Sequence, residues 1–210
     1  MGKKEIAKIL LDVGAVELNP DEPFIWASGI ESPIYCDNRL TMSDPVGRKQ
    51  IAEGLAELIR TEYPETTIIA GTATAGIPHA AWVADILGLP MVYVRSSAKG
   101  HGRIRQIEGK IQSGDKAIIV EDLISTGGSS LNAAAALRSE EIDVTGIVSI
   151  FTYELKKADV AFEAESLTYR SLTDFNALIE ATKEDGLINK EAIEYLLDWH
   201  GKLKEGLLTK

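Results

Sequence analysis

Lys116–Ser130 reads KAIIVEDLISTGGSS. The apolar run is too short for a helix and reads as a strand buried on both faces. Two carboxylates, Glu121 and Asp122, close the run. A turn of hydroxyls and glycines follows, at the entry to a helix predicted over 129–138. Gly127 and Gly128 permit close backbone approach and positive φ. Amide N–H groups at such a helix start, with the hydroxyls of Thr126 and Ser129, converge on an anion such as phosphate. No Gly-Lys-Ser/Thr follows, so this is not a nucleotide P-loop, and Gly71-x-x-x-x-Gly76 fails the same test because Ile77 comes next. Carboxylates repel a phosphate but accept hydrogen bonds from sugar hydroxyls. The stretch therefore predicts a sugar-phosphate site, with Glu121 and Asp122 on ribose hydroxyls and Ser125–Ser129 on the phosphate. An acid pair that only caps the next helix is the plainer alternative.

Outward from this stretch, short apolar strands are predicted at 66–71, 90–94 and 144–151, and a fifth near 166–169. Helices are predicted over 76–87, 173–182 and 189–203. Strands that alternate with helices and are apolar on both faces imply an α/β fold, a mostly parallel sheet flanked by helices. Ile6, Ile9, Leu10 and Val13 mark an amphipathic first helix ended by Gly14. Residues 18–42 are broken by Pro and Gly, with β-like pieces at Phe24–Trp26 and Pro33–Cys36, and suggest a small lid-like subdomain. Ser43 or Asp44, with Pro45, starts the next helix. The division is a single domain: about 1–42 contributing to a hood, about 43–180 the α/β core, about 181–210 C-terminal helices.

The chain has 210 residues, 45% of them hydrophobic, and a formal charge of −10. Such acidity argues against nucleic acid or a membrane surface as partner. Cys36 is the single cysteine, so no intrachain disulfide forms, and a cytoplasmic location is expected. Against this acidity, 95–110 (RSSAKGHGRIRQIEGK) concentrates Arg95, Lys99, His101, Arg103 and Arg105 before its first acid. A polar excursion of this length between strands is usually functional, and Gly100, Gly102 and Gly109 allow it to bend and close. His79 reads as structural or capping, and His200 as a surface residue. Trp82 and Trp199 read as core or interface. Trp26 fits either a pocket wall or core packing. Cys36 has no metal-ligand partner nearby in sequence.

AIIVEDLISTGGSS resembles the signature of type I phosphoribosyltransferases, which use 5-phosphoribosyl 1-diphosphate (PRPP). The segments PFIWASGIESPIYCDNRLT (23–41), IAGTATAGIPHAAW (69–82), YVRSSAKGHGRIRQIEGK (93–110) and VSIFTYEL (148–155) are similar to orotate phosphoribosyltransferases of the Gram-positive-like bacterial branch. The resemblance implies transfer of phosphoribosyl from PRPP to orotate with Mg²⁺, giving orotidine 5′-phosphate and diphosphate in pyrimidine (UMP) biosynthesis. It implies PRPP binding by Arg95, Lys99, His101, Glu121, Asp122, Leu123, Ile124, Ser125, Thr126, Gly127, Gly128 and Ser129. Arg95, Lys99, His101 and Asp122 would be the catalytic group. Ser125 and the backbone of Ile34 and Tyr35 would meet orotate, and Thr72–Gly76 would lie beside the diphosphate. The metal would be carried mainly by that diphosphate, with no dedicated protein ligand. A homodimer with the basic loop 95–109 shared across subunits is also implied. The chain departs from the family pattern at Ala27, Ala75, Tyr153 and Ser96, where a cation is usual; Arg103 and Arg105 stand near as replacement charge. A purine acceptor, or a PRPP-binding regulator without catalysis, is the competing expectation. The segments SGIESPIYCDNRL and SSAKGHG argue against the first, and the acidic chain, with no DNA-binding extension, argues against the second.

Overall fold

In the computed structural model, which describes residues 1–26, 29–97 and 106–208, the chain opens with helix α1 (Lys3–Asp12). Four short strands follow: β1 (Val16–Leu18), β2 (Phe24–Ile25), β3 (Glu31–Ser32) and β4 (Ile34–Cys36). β1 pairs antiparallel with β4, and β2 with β3. A 3-10 turn over Asn38–Ser43 leads into α2 (Pro45–Glu62). The alternating part comprises β5 (Ile68–Thr72), α3 (Gly76–Leu87), β6 (Met91–Val94), β7 (Ile107–Glu108), β8 (Lys116–Ile124), α4 (Gly128–Arg138), β9 (Asp143–Thr152), α5 (Lys156–Ala164) and β10 (Tyr169–Asp174). Helices α6 (Phe175–Glu184) and α7 (Lys190–Lys204) complete the described chain.

The main sheet has the order β10-β9-β8-β5-β6-β7, parallel throughout except for the short β7, which runs antiparallel to β6. Every residue of β5 is buried, as are Ala117–Val120 of β8. Strand periodicity sends alternate residues to opposite faces. Ile118 and Val120, with Val148 and Ile150, join a core built with Ile6, Leu55, Val83, Leu178 and Leu196 of α1, α2, α3, α6 and α7. Ala117, Ile119 and Ile147 join a second core with Ala133 and Leu137 of α4 and Phe162 of α5. Helices thus cover both faces, as the expected α/β fold requires.

Local signals explain several boundaries. The Asp44 carboxylate accepts from the amides of Val46 (3.2 Å) and Gly47 (2.9 Å), with Pro45 in the first turn. Asp174 caps α6 by accepting from the Ala177 amide at 2.9 Å, and Lys3 reaches its other oxygen at 2.6 Å.

Four features differ from the sequence reading. α5 was not foreseen: its buried side is only Ala158 and Phe162, one turn apart, too brief a pattern to register. The last strand lies at Tyr169–Asp174, later than 166–169, because it is a polar edge strand (YRSLTD) paired on one side only. α1 packs on α6, where Lys4 and Lys8 bind Glu184 (2.5 Å) and Asp185 (2.7 Å), so the first helix belongs to the core layer. His200 is buried, not superficial, and stacks on Phe175 at 4.0 Å.

Gly76 starts α3 where no side chain fits: a Cβ there would stand 2.5 Å from both Thr72 Oγ1 and the Val120 carbonyl. Gly76→Ala is expected to cost about 1–3 kcal/mol by overpacking. Gly201→Ala, inside α7 with open space around it, is expected to stabilise by up to about 1 kcal/mol through helix propensity. Urea titration of the two variants against the wild type checks both signs.

Candidate functional site

From β5 the chain winds outward to β6 on one side, then returns to β8 and continues to β9 and β10 on the other. The β5/β8 boundary is therefore the topological switch point, and ligands of open α/β sheets bind beyond the strand ends there. Thr72, at the end of β5, donates its hydroxyl to the Val120 carbonyl of β8 at 3.2 Å, and the Ala73 amide donates to the Val94 carbonyl at 2.8 Å. These bonds set the Thr72–Gly76 turn at the crevice.

At the end of β8 the two acids take different partners. Glu121 is buried and its Oε2 accepts from the hydroxyls of Ser129 (2.7 Å) and Ser130 (3.2 Å) in the first turn of α4. Its Oε1 accepts from the Asp122 amide at 3.1 Å. Glu121 thus braces the helix start, which is the plainer reading of the acids, realised for one of them. The Asp122 backbone carbonyl accepts from Asn38 Nδ2 at 2.8 Å, and its carboxyl stays beside that of Glu121. Burial first, and the charge of Glu121 second, push the Asp122 carboxyl up from 3.8 to about 7. It makes no salt bridge among the described residues.

The turn that follows has an anion-binding form. Gly127 caps α4 at φ 79°, and no side chain caps the helix. A Cβ on Gly127 would meet the Phe162 ring at 2.7 Å, so α5 also demands glycine here. Thr126, Gly128 and Ser129 are exposed. The Ser129 hydroxyl proton is committed to Glu121 and the Thr126 amide to Ser125 Oγ at 2.7 Å, which leaves the hydroxyls of Ser125 and Thr126 and the other backbone amides of the helix start as donors.

Beside the turn lies a pocket of about 410 Å³, within the usual range of small-molecule sites. Leu123, Ser125 and Tyr153 form its floor on the core side; Ile25, Trp26, Tyr35 and Cys36 close it from β2 to β4. Burial pushes the Tyr153 phenol and the Cys36 thiol well above their ordinary ranges, so both stay neutral. Trp26 fulfils both of its readings: it lines the pocket and packs on Tyr153 (5.2 Å) and Trp199 (5.8 Å). In the β1–β4 ladder the amides of Asn19 and Asp37 donate to Pro33 and Ala15, so Glu17–Tyr35 is a bonded pair and the Ile34 backbone faces away from β1. There the Ile34 carbonyl accepts from Trp26 Nε1 (3.2 Å) and Ser32 Oγ (2.7 Å).

Arg95 follows β6. Its amide donates to the Gln106 carbonyl (2.9 Å), and its Nη1 lies 3.6 Å from Glu108 of β7. The Ser96 carbonyl accepts from Asn132 of α4 at 3.1 Å. Lys99 and His101, with Ala27, Arg103 and Arg105, lie outside the described residues. His79 is fully buried, is pushed down to about 4 by that burial, and packs edge-on against Trp82. His200 carries no motif signal for the part it takes here. His200 Nε2 bonds the Tyr153 carbonyl at 2.8 Å behind the pocket, and Trp199 Nε1 donates to Glu31 of β3 at 2.9 Å.

The phosphoribosyl transferase domain family matches residues 44–178. Orotate phosphoribosyltransferase of Enterococcus faecalis is 59% identical over 196 residues, 93% of each chain. The crystal structure of orotate phosphoribosyltransferase from Aeropyrum pernix superposes with a TM-score of 0.75 at 27% identity, over 88% of this chain and 99% of that one. UMP synthase of Leishmania donovani gives a TM-score of 0.83 at 26% identity over 96% of this chain, which spans 43% of that longer protein.

The raised Asp122 carboxyl has a signed consequence for stability. Below about pH 3.8 the group is neutral folded and unfolded; between there and about 7 the unfolded state ionises first, so the native state loses stability as pH rises. Asp122→Asn is therefore expected to raise the melting temperature at pH 8 and to leave it unchanged at pH 3.5. Calorimetric melts at the two pH values check this.

Proposed function

The chain belongs to the phosphoribosyl transferase family, and we propose that it is an orotate phosphoribosyltransferase whose residues divide the transfer from PRPP as follows. The observation that carries the reading is the end of β8, where a half-buried acid without an ion pair among the described residues, a glycine-rich helix start and a pocket of about 410 Å³ adjoin. Asp122 accepts hydrogen bonds from the ribose hydroxyls, and Glu121 holds the turn in place. Leu123 and Ile124 lead into the turn, where Ser125, Thr126, Gly127, Gly128 and Ser129 surround the 5′-phosphate. The pocket takes the orotate ring, with Ser125 at the junction between ring and sugar. Both lone pairs of the Ile34 carbonyl are taken by Trp26 and Ser32. Pairing of the ring edge with Ile34 then requires the Trp26 indole to move off, with Tyr35 alongside.

Breaking the bond between C1 and diphosphate leaves positive charge on the ribose ring and negative charge on the leaving group. Asp122 stabilises the first. Arg95, Lys99 and His101 stabilise the second, where fixed cations act without reorganisation. Binding of PRPP beside Arg95 means the guanidinium trades its long contact with Glu108 for phosphate oxygens. Asp122 offers a hard carboxylate oxygen that suits Mg²⁺ brought in with the diphosphate. When bound, this ion neutralises charge on the leaving group. The remaining parts of the reading are a homodimer with the loop 95–109 shared between subunits, a cytoplasmic location, and residues of about 1–42 contributing to a hood.

The test is consumption of orotate, followed by its absorbance, on mixing with PRPP and Mg²⁺. Turnover is expected, and chelation of Mg²⁺ is expected to abolish it. Arg95→Ala should lower kcat by about 10²–10³, the scale for losing one transition-state donor. An ionised carboxylate accepts from hydroxyls more strongly than the protonated acid, so KM for PRPP should fall as pH rises through about 7 in the wild type. That dependence should vanish in Asp122→Asn. Turnover of hypoxanthine without orotate would overturn the acceptor.

A further inference from the structure

Among the described residues, the pocket assigned to the acceptor ring has no charged lining: Trp26, Tyr153 and Cys36 are neutral, and Leu123 and Ser125 complete its floor. Orotate carries a carboxylate, and a carboxylate entering an uncharged pocket needs a counter-charge. Tyr153, at the position where the family resemblance places an arginine, cannot supply it.

A second cavity, of about 580 Å³, meets the first at Trp26 and Ser125. It lies between the start of α5 and the end of α7, and its wall carries Lys156, Lys157 and Lys204. In a chain of net charge −10 this wall reverses the overall field locally. Lys156 is committed to Glu205 at 2.6 Å. Lys157 and Lys204 have no hydrogen bond or ion pair among the described residues; burial first, and the charge of Lys204 after it, hold the neighbouring His200 imidazole down. Their long flexible stems allow the ammonium groups to reach past the cavity mouth. Resting on the acceptor reading above, we propose that Lys157 and Lys204 bind the carboxylate of the acceptor from this second cavity, and so select a pyrimidine acid over the same ring without the acid.

The experiment uses the full chain with PRPP and Mg²⁺. Lys157→Gln/Lys204→Gln is expected to raise KM for orotate about tenfold to a hundredfold, the range for losing a charge-assisted hydrogen bond. KM for PRPP should stay within twofold, and so should the inhibition constant of uracil, the ring without the carboxylate. Lys157→Arg/Lys204→Arg should restore most of the orotate affinity. Lys202→Gln, on α7 but bound to Asp198 at 2.6 Å, should behave as wild type. The changed side chains sit on the surface of α5 and α7, and a thermal melt confirms that the double variant is folded. An unchanged KM for orotate in that variant, or an equal loss for uracil, would overturn the proposal. Absence of orotate turnover in the wild type is a separate result: it overturns the acceptor reading and this proposal with it.

Discussion

The buried Glu121 carboxylate, bonded to Ser129, Ser130 and the Asp122 amide, is the constraint on which the site depends. A carboxylate out of water costs several kcal/mol unless its oxygens find donors. Those donors are the first turn of α4 and the strand's own backbone. The bonds therefore fix the angle at which the chain leaves β8 and enters α4, and with it the open amides of the Gly127 turn. They also decide the neighbour. Residues of a strand alternate between faces, so with Glu121 on the α4 side beside Ile119, Asp122 leaves the strand on the side of Val120, and its backbone carbonyl takes Asn38. Two adjacent acids of the same type acquire different work from the pleat of one strand.

The second dependence is on the far end of the chain. α7 carries no motif, yet Trp199 donates to the β3 backbone and His200 bonds the Tyr153 carbonyl from behind the pocket. Trp26 lies between Tyr153 and Trp199. The pocket wall is therefore a stack that runs from the β2–β3 hairpin through the end of β9 to the C-terminal helix. Rigid support of this kind is what holds a binding constellation to the small tolerances it needs. The two cavities share one partition, Trp26, so the acceptor ring and the cationic wall beyond it are coupled through a single side chain.

Most of the fold could be read from one dimension because the signals are local. The all-apolar runs in β5, β8 and β9, the Asp44–Pro45 helix start and the Gly127 turn each depend on residues within a few positions of one another. The turn and the acids likewise drew the sequence reading to the end of β8, and Ser125 lines the pocket there. The polar edge strand β10 and the short α5 escaped because their burial comes from one neighbour only, which leaves too weak a period to see.

What the tertiary structure alone decided was which donors are already spent. Glu121 and Asp122 look equivalent in sequence; only the placement of α4 shows one bracing that helix and the other not. Ile34 looks available for pairing; only the hairpin geometry brings Trp26 and Ser32 to its carbonyl. His200 looks like one more polar residue of an exposed helix; only the packing of α7 on Phe175 and Tyr153 buries it. The sequence by itself determined the class of fold and the chemistry of the residues at the end of β8, because these follow from periodicity and adjacent residue types. The partition of roles depends on contacts between residues from 8 to about 170 positions apart, and such contacts exist only once the chain has folded.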